Sequence, residues 1–390
     1  MINSIIAYDI AELEKYKVLT EAKNLYNSEL LNEEQYSNIK TEFSTKLYTP
    51  SIFIKILLFI VALVGGSTLM GPIALLFAGF DEMGYRIIFL IVGILLIFLT
   101  DKVLIKEKKH FKSGVTEAGL YTGLIFLAIG ILWIQNNHII TIAIVGFLLS
   151  IMAAIRYLNY LSLLAAIGFS IWIIFQIITN LGIEAFMPFI FMAYAAFIFW
   201  LTSKLQSKFD LFIFEDHYII AKSIALILFF IAGNYFVVRE LSIELMGLNI
   251  SEGEDIPFAW IFYFLTAIIP LAYAYWGIKT KSMLFIRVGL LVFALSIITF
   301  KYYFSLGFPM VTVTVSGALM IIIALLLFNY LKEAKKGITS KKILQDKWTS
   351  QDLTAFIASQ TLGGNEINVA ENEELFQGGQ FGGGGASGNW

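Results

Sequence analysis

The sequence predicts an all-α, polytopic helical membrane protein of about ten transmembrane helices with both termini cytoplasmic, and three observations carry that reading. The first is composition. Of 390 residues, 58% are hydrophobic and only 14% charged, with a mean hydropathy of +0.79, where soluble domains carry roughly one-quarter charged residues. A water-soluble fold of this length could not hide so much apolar surface. The second is segment length: crossing a hydrocarbon layer of roughly 30 Å takes about 20 predominantly apolar residues in a helix, and such runs follow one another along the chain. The third is that the runs are apolar on every face, whereas barrel strands would be about ten residues long with apolar and polar positions alternating.

In chain order the spans fall near Ile52–Phe80, Tyr85–Leu99, Thr116–Ile134, Ile139–Ile155, Leu161–Thr179, Ala185–Leu201, Tyr218–Val238, Pro257–Ile278, Met283–Phe300 and Phe308–Leu331. Only Arg156, Tyr157, Leu158 and Asn159 separate the fourth from the fifth, which demands a tight hairpin. Lys and Arg in short loops set the orientation. Lys102, Lys106, Lys108, Lys109 and Lys112 follow the second span, and Lys279 and Lys281 follow the eighth. These loops are expected in the cytoplasm. The connections 135–138 and 179–184 carry no cation, and the stretch from Arg239 to Asp255 is mostly acidic. A polar N-terminal region without a cleavable signal peptide, together with Ser340, Lys341 and Lys342 after the last span, agrees with N-in and C-in placement in a bacterial inner membrane.

Three regions are expected: a cytoplasmic helical head over 1–49, a transmembrane domain over 50–331 and a cytoplasmic tail over 332–390. In the head, Leu25, Leu30, Leu31, Tyr36 and Ile39 are spaced for a shared apolar contact. Asn32 before Glu33, Glu34 and Gln35 suits a helix N-cap, with acidic residues placed favourably against the helix dipole. This pattern predicts a small helical hairpin resting on the membrane domain. The tail passes from a basic stretch, Lys332 to Lys347, through a short apolar stripe at Leu353, Phe356 and Ile357 to a glycine-rich end. Glycine loses the most backbone entropy on ordering and brings no side chain to pack, so it cannot hold a fold by itself. Phe376, Phe381 and Trp390 are nonetheless unusual in a solvated linker, and aromatic anchors on flexible chain suit a docking peptide. Gly382, Gly383, Gly384 and Gly385 would let its backbone lie close against a partner.

Most chemistry is excluded by residue supply. The balance of 27 Lys and Arg against 29 Asp and Glu leaves a formal charge of −2, no footprint for nucleic acid. The chain has no Cys, which removes disulfides, thiolate catalysis and Cys-ligated metal. His110, His138 and His217 are dispersed at expected membrane edges, with His138 on the side opposite the other two, and they match no metal-ligand spacing. Ser387 in Gly385-Ala386-Ser387-Gly388 resembles the nucleophile motif of rhomboid proteases, but it lies in the glycine-rich tail with no histidine to serve it. No catalytic residue, cofactor or metal is expected. Lys55, Lys222, Arg287, Arg86 and Lys301 lie near span ends, where long side chains reach the headgroups. Gln176 with Asn180, Asn234, and the hydroxyls of Thr312, Thr314 and Ser316 suit hydrogen bonds between helices.

Two resemblances follow from particular residues. The segment Phe381 to Trp390 resembles the glycine-rich, aromatic-ended tail of bacterial TPM-domain membrane proteins associated with LemA-family membrane proteins. That resemblance implies a shared docking signal, with a LemA-family protein as the suspected partner. Over roughly the first 135 residues, Leu31-Asn32-Glu33-Glu34-Gln35-Tyr36, the connection from Phe80 to Arg86 and Glu117-Ala118-Gly119 are similar to a family of uncharacterised bacterial predicted membrane proteins. It implies a membrane location and no particular activity. The expected function is thus a non-enzymatic inner-membrane structural or regulatory subunit, in contact with membrane lipid and docking a membrane protein through its tail. The alternative is a small-solute or ion transporter. It rests on Gly65, Gly66, Gly71 and Pro72 in the first span, where a break would let the helix unwind and present backbone groups.

Overall fold

The computed structural model describes residues 5–28, 30–76, 81–132, 139–209, 212–246 and 255–303, with scattered helical positions between Thr314 and Asn329. Apart from residues 51–53, all of those discussed below belong to one compact unit. The head opens with α1, Ile10–Asn27, capped by the Asp9 carboxylate accepting from the Ala11 N–H. It continues with α2, Glu33–Glu42, where Asn32 and Gln35 close the reciprocal capping box that their spacing allows.

The long helices are α3 (Ile52–Leu76), α4 (Glu82–Leu99), α5 (Val115–Leu132), α6 (Ile139–Tyr157), α7 (Tyr160–Leu181), α8 (Met187–Lys208), α9 (Glu215–Gly233), α11 (Ala259–Thr280) and α12 (Met283–Tyr303), with the shorter α10 (Tyr235–Met246) between α9 and α11. Among the described residues, eight helical stretches are long and apolar enough to cross a membrane, and no strand occurs beyond one isolated bridge between Tyr48 and His110. The expected tenth span, Phe308–Leu331, lies outside the described residues except for its scattered helical positions.

The long helices expose large apolar side chains to the outside: Trp260 is 71% exposed, Met152 65% and Ile94 60%. A protein in water would bury such groups, whereas in lipid they face a solvent as apolar as themselves. What joins the helices is therefore close packing. Sequential helices pair as hairpins, α4 with α5, α6 with α7, α8 with α9 and α11 with α12. Small residues let the backbones approach. A Cβ on Gly93 of α4 would lie 2.8 Å from the Leu127 nitrogen and 2.9 Å from the Gly123 oxygen of α5. On α9, α11 and α12, Phe230, Ile269, Tyr273, Val288 and Val292 form one buried cluster, and the Tyr273 hydroxyl donates to the Leu226 carbonyl at 3.0 Å.

Three boundaries differ from the sequence expectation. The helix after α4 continues as a π-helix, Thr100–Glu107, so Lys102 and Lys106 lie on helix and not in a loop. The expected span Tyr218–Val238 ends at Gly233 and restarts at Tyr235, because Asn234 is extended (ψ 126°). Asn234 bonds Thr299 at 2.9 Å, while the freed Tyr235 N–H donates to Thr266 Oγ1 at 2.9 Å. Two buried polar partners outweigh one more turn of apolar helix. Lastly, α3 is one helix of 25 residues through Gly65, Gly66, Gly71 and Pro72, so the expected interruption does not divide it. Between α6 and α7 the tight hairpin is present, made by Leu158 in the left-handed region (φ 50°) and Asn159, whose side chain accepts from the Ser162 N–H.

Candidate functional site

The segments flanking the head helices are fastened to one end of the helical body. Ile6, Ala7, Tyr8 and Leu13 are buried in one cluster with Leu47, Ile105, Phe111, Leu120, Ala153, Tyr157 and Leu158, whereas Leu30 is 53% exposed and α2 has no buried residue. Main-chain bonds fix the register: the Ala7 N–H donates to the Arg156 carbonyl at 2.9 Å, the Tyr48 N–H to Lys109 at 2.8 Å and the Phe111 N–H to Tyr48 at 3.0 Å. The Arg156 guanidinium donates to the buried Asp101 carboxylate at 2.7 Å and to the Ile5 carbonyl at 3.1 Å. The buried Glu12 accepts from the Lys46 N–H at 2.7 Å and the Thr45 hydroxyl at 3.0 Å. The Lys46 N–H is the chief reason that its carboxyl titrates below the ordinary range.

Gly114 explains how α3 meets this end. Its φ of +92° suits glycine, and a Cβ there would lie 2.0 Å from the Lys55 carbonyl oxygen. The following helix is held by Glu117, which accepts from the Gly114 N–H at 2.7 Å.

Between α1, the 109–113 loop, the α6–α7 turn and the start of α9 lies a cavity of about 300 Å³ lined by charged, aromatic and aliphatic residues. Lys112 is carried by a backbone in the left-handed region (φ 48°), which places its amine 3.6 Å from the centre of the Tyr160 ring. Burial is the main reason that this amine titrates low, at about 8, with Lys55 adding repulsion and Asp216 and Glu117 opposing it. The Tyr160 hydroxyl donates to Asp216 at 2.6 Å, and Lys17 of α1 pairs with Glu215, which raises the Lys17 pKa. His217 is 7% exposed and its ring lies 4.9 Å from that of Tyr160. Neither of its ring nitrogens has a hydrogen-bond partner among the described residues. A buried imidazole with both nitrogens unpaired is costly unless something else meets them.

None of the partner-binding or helix-break residues proposed from sequence is among the described residues lining this cavity. Gly65 and Gly66 sit on α3, where an added Cβ would meet nothing within 4 Å. Phe376, Phe381, Gly382, Gly383, Gly384, Gly385 and Trp390 lie outside the described residues. The sequence reading counted Lys112 as a loop cation and His217 as a membrane-edge histidine. The available signal was the run Glu215-Asp216-His217 opening an apolar segment, a polar triplet denser than orientation requires. Among the described residues no group of three or more His, Asp or Glu is placed to hold a metal ion. His110 bonds Ser113 at 2.9 Å and belongs to the loop that carries Lys112. Comparison with protein-family models, with curated protein sequences and with solved structures finds no match to this chain.

Proposed function

We propose that the chain is a multi-pass protein of the bacterial cytoplasmic membrane that works, without catalysis of its own, as a structural or regulatory subunit. Its head and tail stand on the cytoplasmic side, and the tail docks a membrane-associated protein, of the LemA type by resemblance. The observation that carries this reading is the head itself: a soluble helical pair locked by main-chain bonds to one end of an otherwise lipid-facing body. A body with apolar outer faces supports residence in a membrane. The cations Lys102, Lys106, Lys108, Lys109 and Lys112 at the head end support the cytoplasmic assignment of that end. The transporter alternative would rest on unwinding of α3 around Gly65, Gly66, Gly71 and Pro72, which lie within a continuous helix.

The test is affinity purification in mild detergent of the full chain beside a version truncated after Glu374, with mass spectrometry of what accompanies each. One membrane protein retained by the full chain and absent with the truncation is the expected result. Identical company for both forms would sink the docking role.

A further inference from the structure

The head-end cavity holds donors that the protein does not use. Every neutral or charged imidazole has at least one N–H to donate, and at His217 neither ring nitrogen has a partner among the described residues although the residue is 7% exposed. An ammonium has three donors and no acceptor, and the Lys112 amine is placed over the Tyr160 and Phe111 rings, at 3.6 and 5.3 Å from their centres, with no carboxylate of the described residues in salt-bridge contact. Each described acid that lines the cavity has a partner. Glu215 and Glu21 face Lys17, and Asp216 accepts from Tyr160. An anionic oxygen would complete both Lys112 and His217.

We propose that this cavity binds a ligand bearing an oxyanion group, a phosphate or carboxylate attached to an apolar or aromatic body. Lys112 and His217 hold the oxyanion, and Phe111, Tyr160 and Phe212 receive the body. A volume of about 300 Å³ stands at the lower end of the roughly 300–1,000 Å³ of small-molecule sites. The cavity is bounded on one side by α1 of the head, so an occupant would bridge head and helical body. Such chemistry has two sources, a soluble metabolite or the headgroup of an anionic lipid. The proposal does not depend on the tail docking a partner.

The experiment uses the full chain in phosphatidylcholine nanodiscs, titrated with phenyl phosphate, and in nanodiscs doped with phosphatidylglycerol, with bound ligand counted by native mass spectrometry and calorimetry. Saturable binding of one equivalent of either probe is expected. Phenyl phosphate binding in phosphatidylcholine alone identifies a soluble ligand, and retention of phosphatidylglycerol that phenyl phosphate does not displace identifies a lipid. Lys112→Met and His217→Phe should each weaken binding at least about tenfold, as loss of a charge-assisted bond implies, while Lys112→Arg retains it and Lys279→Met has no effect. Limited proteolysis of the head checks that each variant is folded, and if His217→Phe loosens the head, the Lys112 pair decides. Saturation by neither probe, or equal affinity in Lys112→Met and the parent, overturns the proposal and leaves a cavity filled by water.

Discussion

The two ends of the helical body solve the same problem differently. At the far end, where α9 passes into α10 and α12 finishes, side chains pair with side chains: Tyr235 with Asp255 at 2.5 Å, Tyr303 with Glu240 at 2.6 Å, Tyr263 with Asp255 at 3.3 Å. Arg239 lies over the Tyr303 ring, and its Nε is the one buried side-chain atom there without a partner among the described residues. The head end is held by main-chain bonds and buried apolar contacts, with Arg156 as the bridge. Among the described residues it leaves both His217 nitrogens and one Asp101 oxygen without a partner, and the Lys112 amine lies over the Tyr160 ring. A network that pairs all but one of its buried groups is architecture; an end that is rigidly built and leaves a buried imidazole unpaired on both nitrogens is arranged for something else.

Substitutions that break one end and spare the other sharpen this contrast. The largest effect is expected from Gly114→Ala, which forces a side chain into the left-handed region and against the Lys55 carbonyl. The conformation alone costs about 1–2 kcal/mol, and the clash adds to it. Thermal unfolding in detergent should drop sharply and the head should become protease-sensitive. Asp255→Asn at the far end removes the charged acceptor of Tyr235 and is expected to cost about 1–3 kcal/mol, with ligand affinity at the head end unchanged. A smaller effect follows from Glu12→Gln, which weakens the grip on Lys46 and Thr45 by about 1 kcal/mol and exposes the segment around Ser28 to protease without unfolding the body.

Two pH responses separate the ends further. The Glu12 carboxyl titrates low in the folded protein. Its contribution is complete above the ordinary carboxylate range and is lost as pH falls through the folded value, so the head should loosen in acid before the helices do. Lys112 titrates at about 8 against an ordinary 10.5. The ligand-free fold therefore gains stability as pH rises between those values. The groups facing the amine are Asp216 and His217 of α9, Lys55 of α3 and Glu117 of α5. Oxyanion affinity, which needs the protonated amine, should weaken above pH 8 by up to about tenfold per unit, and Lys112→Arg should abolish that decline.

Much of the fold is legible in the sequence because lipid imposes one rule on every span: about 20 apolar residues in a helix. The capping box at Asn32 and the tight turn at Leu158–Asn159 are local, so their signals lie within four residues. The break at Asn234 is not local. It depends on Thr266 and Thr299, 32 and 65 positions further along, and hydropathy sees only an apolar run. The cavity is less legible still, since Lys17, Lys112, Tyr160 and His217 come from four separate segments. Their meaning arises from which donors lack acceptors, a property of the assembled end. Conversely, the glycines of the first span signal a break in sequence, yet α3 accommodates them within a continuous helix.

The natural absence of cysteine makes the sidedness of the two ends directly measurable. Ser37→Cys on the exposed face of α2 and Glu244→Cys on the exposed face of α10 each introduce a single thiol into the full chain, for labelling in intact cells with a membrane-impermeant maleimide. The account predicts that Glu244→Cys reacts in intact cells and Ser37→Cys only after the membrane is permeabilised. Labelling of both thiols in intact cells, or of Ser37→Cys alone, would contradict a cytoplasmic head on a membrane-spanning body.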